Sequence, residues 1–99
     1  MTERRLSEDD ARRMAEIAFE RGAFDWSARL YEAIFRRAGL SEDAYGAARA
    51  SAKDGNRDRA IELLRRAVEA GFSDRARAWS DSALEALRGA ELEAVLPRP

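Results

Sequence analysis

Apolar residues recur along this chain at three- and four-residue intervals, in four stretches punctuated by glycine. The first predicted helix follows Leu6. Ser7 can cap its free amides, Asp10 sits three residues on, and Glu8, Asp9 and Asp10 favour the positive end of the helix dipole. Ala11, Met14, Ala15, Ala18 and Phe19 form its apolar face, and Gly22, preceded by Arg21, ends it. The second helix runs from Phe24 to Arg37, with Phe24, Ala28, Tyr31, Ile34 and Phe35 on its main face. Its Gly39-Leu40 ending reads as a Schellman-type stop, with Leu40 folded back over the last turn.

Leu40-Ser41-Glu42-Asp43 repeats the Leu6-Ser7-Glu8-Asp9 start 34 residues later. The third helix holds Ala44, Ala47, Ala48 and Ala52, small enough for a neighbouring helix to approach closely, and Tyr45 is placed to staple against Leu40. Gly46 within it costs about 1 kcal/mol relative to alanine, so it marks either close packing or an open groove. The fourth helix opens on the turn Asp54-Gly55-Asn56, presents Ala60, Ile61, Leu64, Ala67 and Val68, and closes on Gly71-Phe72.

Gly22, Gly39, Gly55 and Gly71 are spaced by 17, 16 and 16 residues, a beat of one helix plus one short turn. Short turns between helices of equal length predict antiparallel hairpins, and a two-helix period near 34 residues is that of the tetratricopeptide repeat. The residues resemble that family. Ala48, the Asp54-Gly55-Asn56 turn, Ala60, Leu64 and Ala67 follow its small–large–small pattern, and Ala15, Gly22, Phe24, Ser27, Tyr31 and Ile34 fill corresponding places in the first copy. The family's early tryptophan is replaced by Ala11 and Ala44, and its closing proline is missing from both copies. The predicted fold is all-α: a flexible arm (1–6), two tetratricopeptide-like hairpins (7–39 and 40–72), a helical cap (73–96) and a short tail (97–99).

The cap breaks the period. A helix beginning at Phe72-Ser73-Asp74 is interrupted at Trp79-Ser80-Asp81-Ser82; Ser82 and Glu85 then offer a capping box, followed by Leu84 and Leu87. After Gly89 comes a last amphipathic piece with Leu92, Val95 and Leu96, stopped by Pro97 and Pro99. This tail resembles those that end bacterial tetratricopeptide arrays, with Ser82, Ala86 and Glu91 where prolines are usual. Its expected work is to cover the apolar face of the fourth helix, with Trp79 closing over it.

Composition narrows the function. In 99 residues, 18 basic side chains nearly balance 19 acidic ones, so nothing draws the whole molecule to nucleic acid or anionic lipid. The arginine doublets have acids beside them and lack interleaved aromatics, which argues against a nucleic-acid platform. Without cysteine or histidine there is no disulfide, no thiol chemistry and little prospect of a transition-metal site. Glu16 and Glu20 stand one turn apart with no visible third ligand, so they read as part of a solvated face. No enzyme, cofactor or metal is expected, and no membrane span, because no apolar run exceeds three residues. A cytoplasmic location is the default expectation.

What remains is recognition of protein. The resemblance implies a concave working face lined by the first helix of each hairpin: Asp9, Arg12, Arg13, Glu16, Phe19 and Glu20, then Glu42, Tyr45, Gly46, Arg49 and Lys53. Family members that clamp chaperone C-termini use lysine and asparagine, where Arg12, Glu16 and Gly46 stand here, so that ligand is not expected. An acidic or aromatic peptide, or a partner helix, could be held by Arg12, Glu16, Phe19, Tyr45, Arg49 and Lys53, making the chain a small adaptor or scaffold. A second surface is an extra apolar stripe on the second helix, Trp26, Leu30 and Ala33, suited either to self-association or to packing on its own hairpin or on the amino-terminal arm. The fourth helix carries Arg59, Leu63 and Arg66 at the equivalent positions.

Overall fold

The computed structural model describes residues 7–99; the predicted N-terminal arm lies outside them. The elements are α1 (Glu8–Glu20), α2 (Phe24–Ala38), α3 (Ser41–Lys53), α4 (Arg57–Glu69), α5 (Arg75–Ser80), a 3-10 helix (Ser82–Leu87) and α6 (Ala90–Val95), with no strand among the described residues. The fold is all-α. Each of the first four helices packs on the next, α1 on α2, α2 on α3 and α3 on α4. Both α3 and α4 begin 33 positions after α1 and α2 respectively.

The helix stops are as legible as the helices, with one exception. Ala23, Asn56 and Phe72 donate their amides back to Ala18, Ser51 and Ala67, the long hydrogen bond of a Schellman stop, across Gly22, Gly55 and Gly71 in the left-handed region. At Gly39 the stop is the simpler left-handed form, with the Gly39 amide donating to the Phe35 carbonyl at 2.8 Å. Leu40 therefore does not fold back as expected. The link from α2 to α3 is two residues long, and Leu40, in extended conformation, already serves as the N-cap of α3. Its side chain is left exposed. The two starts also differ: the Ser7 hydroxyl accepts the Asp10 amide at 3.1 Å, whereas Ser41 is already helical and caps nothing.

The core centres on α3. Its small residues let neighbours close in on several sides, and everything from Asp43 to Ala48, with Ala50, Ser51 and Ala52, is buried. Tyr45 does not staple on Leu40 but stacks on Phe72, ring centroids 4.3 Å apart and 11° from parallel. Helix α4 buries Ala60, Leu63, Leu64 and Ala67, while Ile61 is half-buried and Val68 exposed. Its buried arc reaches round to Leu63 on the flank nearer α2, where Arg59 pairs with Glu32, while α6 runs along the other flank, its Glu91 and Ala94 sharing a depression with Asp58, Ile61 and Arg65.

Gly46 marks close packing, not an open groove. A Cβ there would lie 2.9 Å from Cδ1 and Cε1 of Tyr31 and 3.0 Å from Cγ, so the ring would have to move as a unit. Gly46→Ala gains about 1 kcal/mol of helix propensity but incurs roughly 1–3 kcal/mol of overpacking. The expected result is a net loss near 1 kcal/mol in thermal denaturation, reversed to a gain when Tyr31 is also alanine. A wild-type background stabilised by Gly46→Ala would show the contact to be slack.

The C-terminal segment departs from the expected capping box. Asp81, not Ser82, caps the 3-10 helix, its Oδ1 accepting the Ala83 amide at 3.0 Å. Trp79 donates its indole N–H to the Leu96 carbonyl at 2.8 Å and so ties the two ends of the segment together, while its ring packs at the edge of the core.

Candidate protein-binding surfaces

On the expected working face, an ion pair joins α1 to α3, and the C-terminal segment packs on α3. Arg12, on α1, reaches the first turn of α3, where Nε and Nη2 each donate to an Asp43 carboxylate oxygen at 2.8 Å. Asp43 is only 2% exposed, and the helix dipole there favours its charge. The hydrogen bond with Asp43 is the chief reason the Arg12 guanidinium holds its proton more firmly than usual.

A second anchor joins α3 to the cap. Oδ2 of Asp81 accepts the Tyr45 hydroxyl at 2.6 Å and Arg49 Nε at 2.7 Å. Burial pushes the Asp81 carboxyl up, but the donors Tyr45, the Ala83 amide and Arg49 outweigh it and leave the group below the usual carboxylate range. Tyr45, 1% exposed, is pushed up by burial first and by its bond to Asp81 second. Arg77 adds a third link, donating from Nη1 to both Glu42 oxygens at 2.7 and 3.0 Å while its guanidinium lies 4.7 Å from the Tyr45 ring centroid.

Between these anchors lies a cleft of about 210 Å³, lined by Arg12, Glu16, Tyr31, Tyr45, Arg49 and Arg77 among others. Four of the six predicted contact residues thus converge. Tyr45 is an internal support, however, since Phe72 and Asp81 occupy its ring and hydroxyl. The room expected at Gly46 is filled from below by Tyr31. Phe19 and Lys53 sit beyond the cleft on a second feature. There the Arg49 guanidinium lies 4.6 Å over the Phe19 ring, the Lys53 ammonium 5.4 Å over Phe24, and the two rings meet edge to face at 5.2 Å. Lys53 is exposed and has no carboxylate partner among the described residues.

Sequence reasoning did not find Asp43, Asp81 or Arg77. Asp43 looked like one more acid in a first turn, and Asp81 like part of a helix break; only the fold sets them against Arg12, Tyr45 and Arg49. The shifts at Arg12, Tyr45 and Asp81 all deepen the charge state each group already has at neutral pH. That suits hydrogen bonding and ion pairing rather than proton transfer.

The apolar stripe is rearranged. Trp26 is 53% exposed, Leu30 half-buried and Ala33 exposed, and what lies beside Trp26 is α1. Met14 and Ile17, 39% and 43% exposed, join it around a shallow depression that also includes Ala18, Arg21 and Ala23. Met14, expected in the core, faces outward because, among the described residues, no helix packs on that side of the first hairpin.

Among the described residues, no group of three or more acidic, histidine or cysteine side chains is arranged to hold a metal ion, and no helix is long and apolar enough to cross a membrane. Compared with protein-family models, with curated proteins and with solved structures, the chain matches none of them.

Proposed function

We propose that this chain is a protein-interaction module, two tetratricopeptide-like hairpins with a helical cap, that holds a short peptide segment of a partner along its concave face. The observation that carries this reading is the cationic shelf beyond the cleft, with Arg49 and Lys53 laid over Phe19 and Phe24. Arg49 is fixed through Nε by Asp81, and its outer amino groups have no hydrogen-bond or ion-pair partner among the described residues. Such a shelf suits a carboxylate flanked by an apolar or aromatic side chain: the cations take the charge and the ring edges take the apolar part. Arg49, already held in place by its own ion pair, loses little entropy on binding, which favours modest but specific affinity.

The test is selection of a displayed random peptide library against the purified chain, followed by titration of the enriched peptides. Peptides with an acid beside an apolar residue are expected, bound about tenfold more weakly by Lys53→Glu, a change near 1.4 kcal/mol. Absence of enrichment, or affinities indifferent to Lys53→Glu, would overturn the reading.

A further inference from the structure

We infer that Met14, Ile17 and Trp26 form one half of a two-fold interface with a second copy of this chain. The first argument is the internal repeat. In the second hairpin, Ala47 and Ala50 occupy the places that Met14 and Ile17 hold in the first, 33 positions earlier, and they are fully buried in the stack where α2 packs on α3. The first hairpin presents the corresponding flank with larger apolar side chains and, among the described residues, no helix upon it. Trp26 replaces what is Arg59 in the second copy, an arginine paired with Glu32 and Glu62. The face is therefore a stacking surface without its neighbour.

The second argument is closure. A chain of stacked hairpins could continue head to tail only if the far flank of α4 were free, but α6 and the 3-10 helix occupy it, with Leu84, Leu87 and Leu92 in the core beside Leu63 and Leu64. With that flank covered, a second copy can meet the open flank only with its own open flank, which gives an isologous pair that does not grow further. The nearby charges permit it: Arg21 lines the depression, Asp10 and Arg13 stand one helical turn before Met14 and Ile17 on α1, and Asp25 and Arg29 flank Trp26 on α2, so both signs are present and two copies are not repelled.

The third argument is size. The molecule extends 53 × 27 × 20 Å, and the two short dimensions limit an end-on footprint to about 500 Å² per copy, the lower end of specific interfaces. The pair is accordingly weak, with a dissociation constant of order 100 µM, held by the tryptophan as its anchor.

This interface stands apart from the concave face, and sedimentation equilibrium of the full chain from about 5 µM to about 1 mM tests it separately. The wild type is expected to rise from the mass of one chain to that of two and stop there. Trp26→Glu and Ile17→Glu, both at exposed positions, are each expected to stay monomeric with unchanged circular-dichroism melting. Lys53→Glu, which disables the peptide shelf, associates as the wild type does. A wild type that is monomeric throughout overturns the inference, as it would if another segment of the chain covered the face. So does association that survives both glutamates, or growth beyond two chains; should one variant misfold, the other decides.

Discussion

Arg12→Ala is expected to cost about 3 kcal/mol of unfolding free energy, because it strands the buried Asp43 carboxylate without its bidentate partner. For a chain of this size that is a fall in Tm of about 10–20 °C. The reciprocal change is milder. Asp43→Ala leaves Arg12, whose side chain is 28% exposed, still within reach of Asp9 and of water, so about 1–2 kcal/mol is lost. Replacing both together, Arg12→Met with Asp43→Leu, returns stability to within roughly 1 kcal/mol of the wild type, since neither charge is then left unpaired. Urea denaturation of the set gives the ranking. If Asp43→Ala were as damaging as Arg12→Ala, the stranded carboxylate would not be the cause.

Asp81→Ala is the second large loss, about 3 kcal/mol, because one carboxylate holds three donors on two elements. Its removal frees the Tyr45 hydroxyl inside the core, releases Arg49 and uncaps the 3-10 helix, the last worth about 1 kcal/mol alone. Thermal denaturation followed by tryptophan fluorescence reads it, since Trp79 belongs to the same segment. The linked pH dependence has a definite sign. The folded Asp81 pKa lies below the unfolded value of about 3.9, so its stabilisation is present above that value and lost as pH falls through the folded pKa. Tyr45 is raised above about 10, so its share is present below that pH and lost as pH climbs through the raised value. Stability is expected to be level between about pH 4 and pH 10, and Asp81→Asn, lacking the titrating group, should fall less steeply in acid. An acid limb identical in the two proteins would assign that limb to other carboxylates.

The regular part of this fold could be read from the chain because its signals are local. Ser7, the glycine stops and the apolar spacing each act within one helical turn, and they place the four long helices to within about two residues. What could not be read depends on which elements come to lie side by side. Leu63 is buried on the flank of α4 nearer α2, where Arg59 meets Glu32, and Met14 is exposed on the one flank of α1 that no described helix covers. The concave face was half legible for the same reason. Arg12, Glu16 and Arg49 line one cleft and Lys53 lies beyond it, yet the two arginines are held by aspartates more than 30 positions away. Periodicity carries no record of such partners.

The tie from Tyr45 to Asp81 spans 36 residues, whereas the four long helices pack chiefly on their nearest neighbours in sequence. The search for native pairings is therefore short at nearly every step, as in fast-folding helical chains. Docking of the C-terminal segment is the step that must close a long loop, and its three six-residue helices are too short to persist alone. They are thus conditional on a surface already assembled from α3 and α4. The Asp81 carboxylate becomes the point at which a completed hairpin stack is recognised by its own chain end.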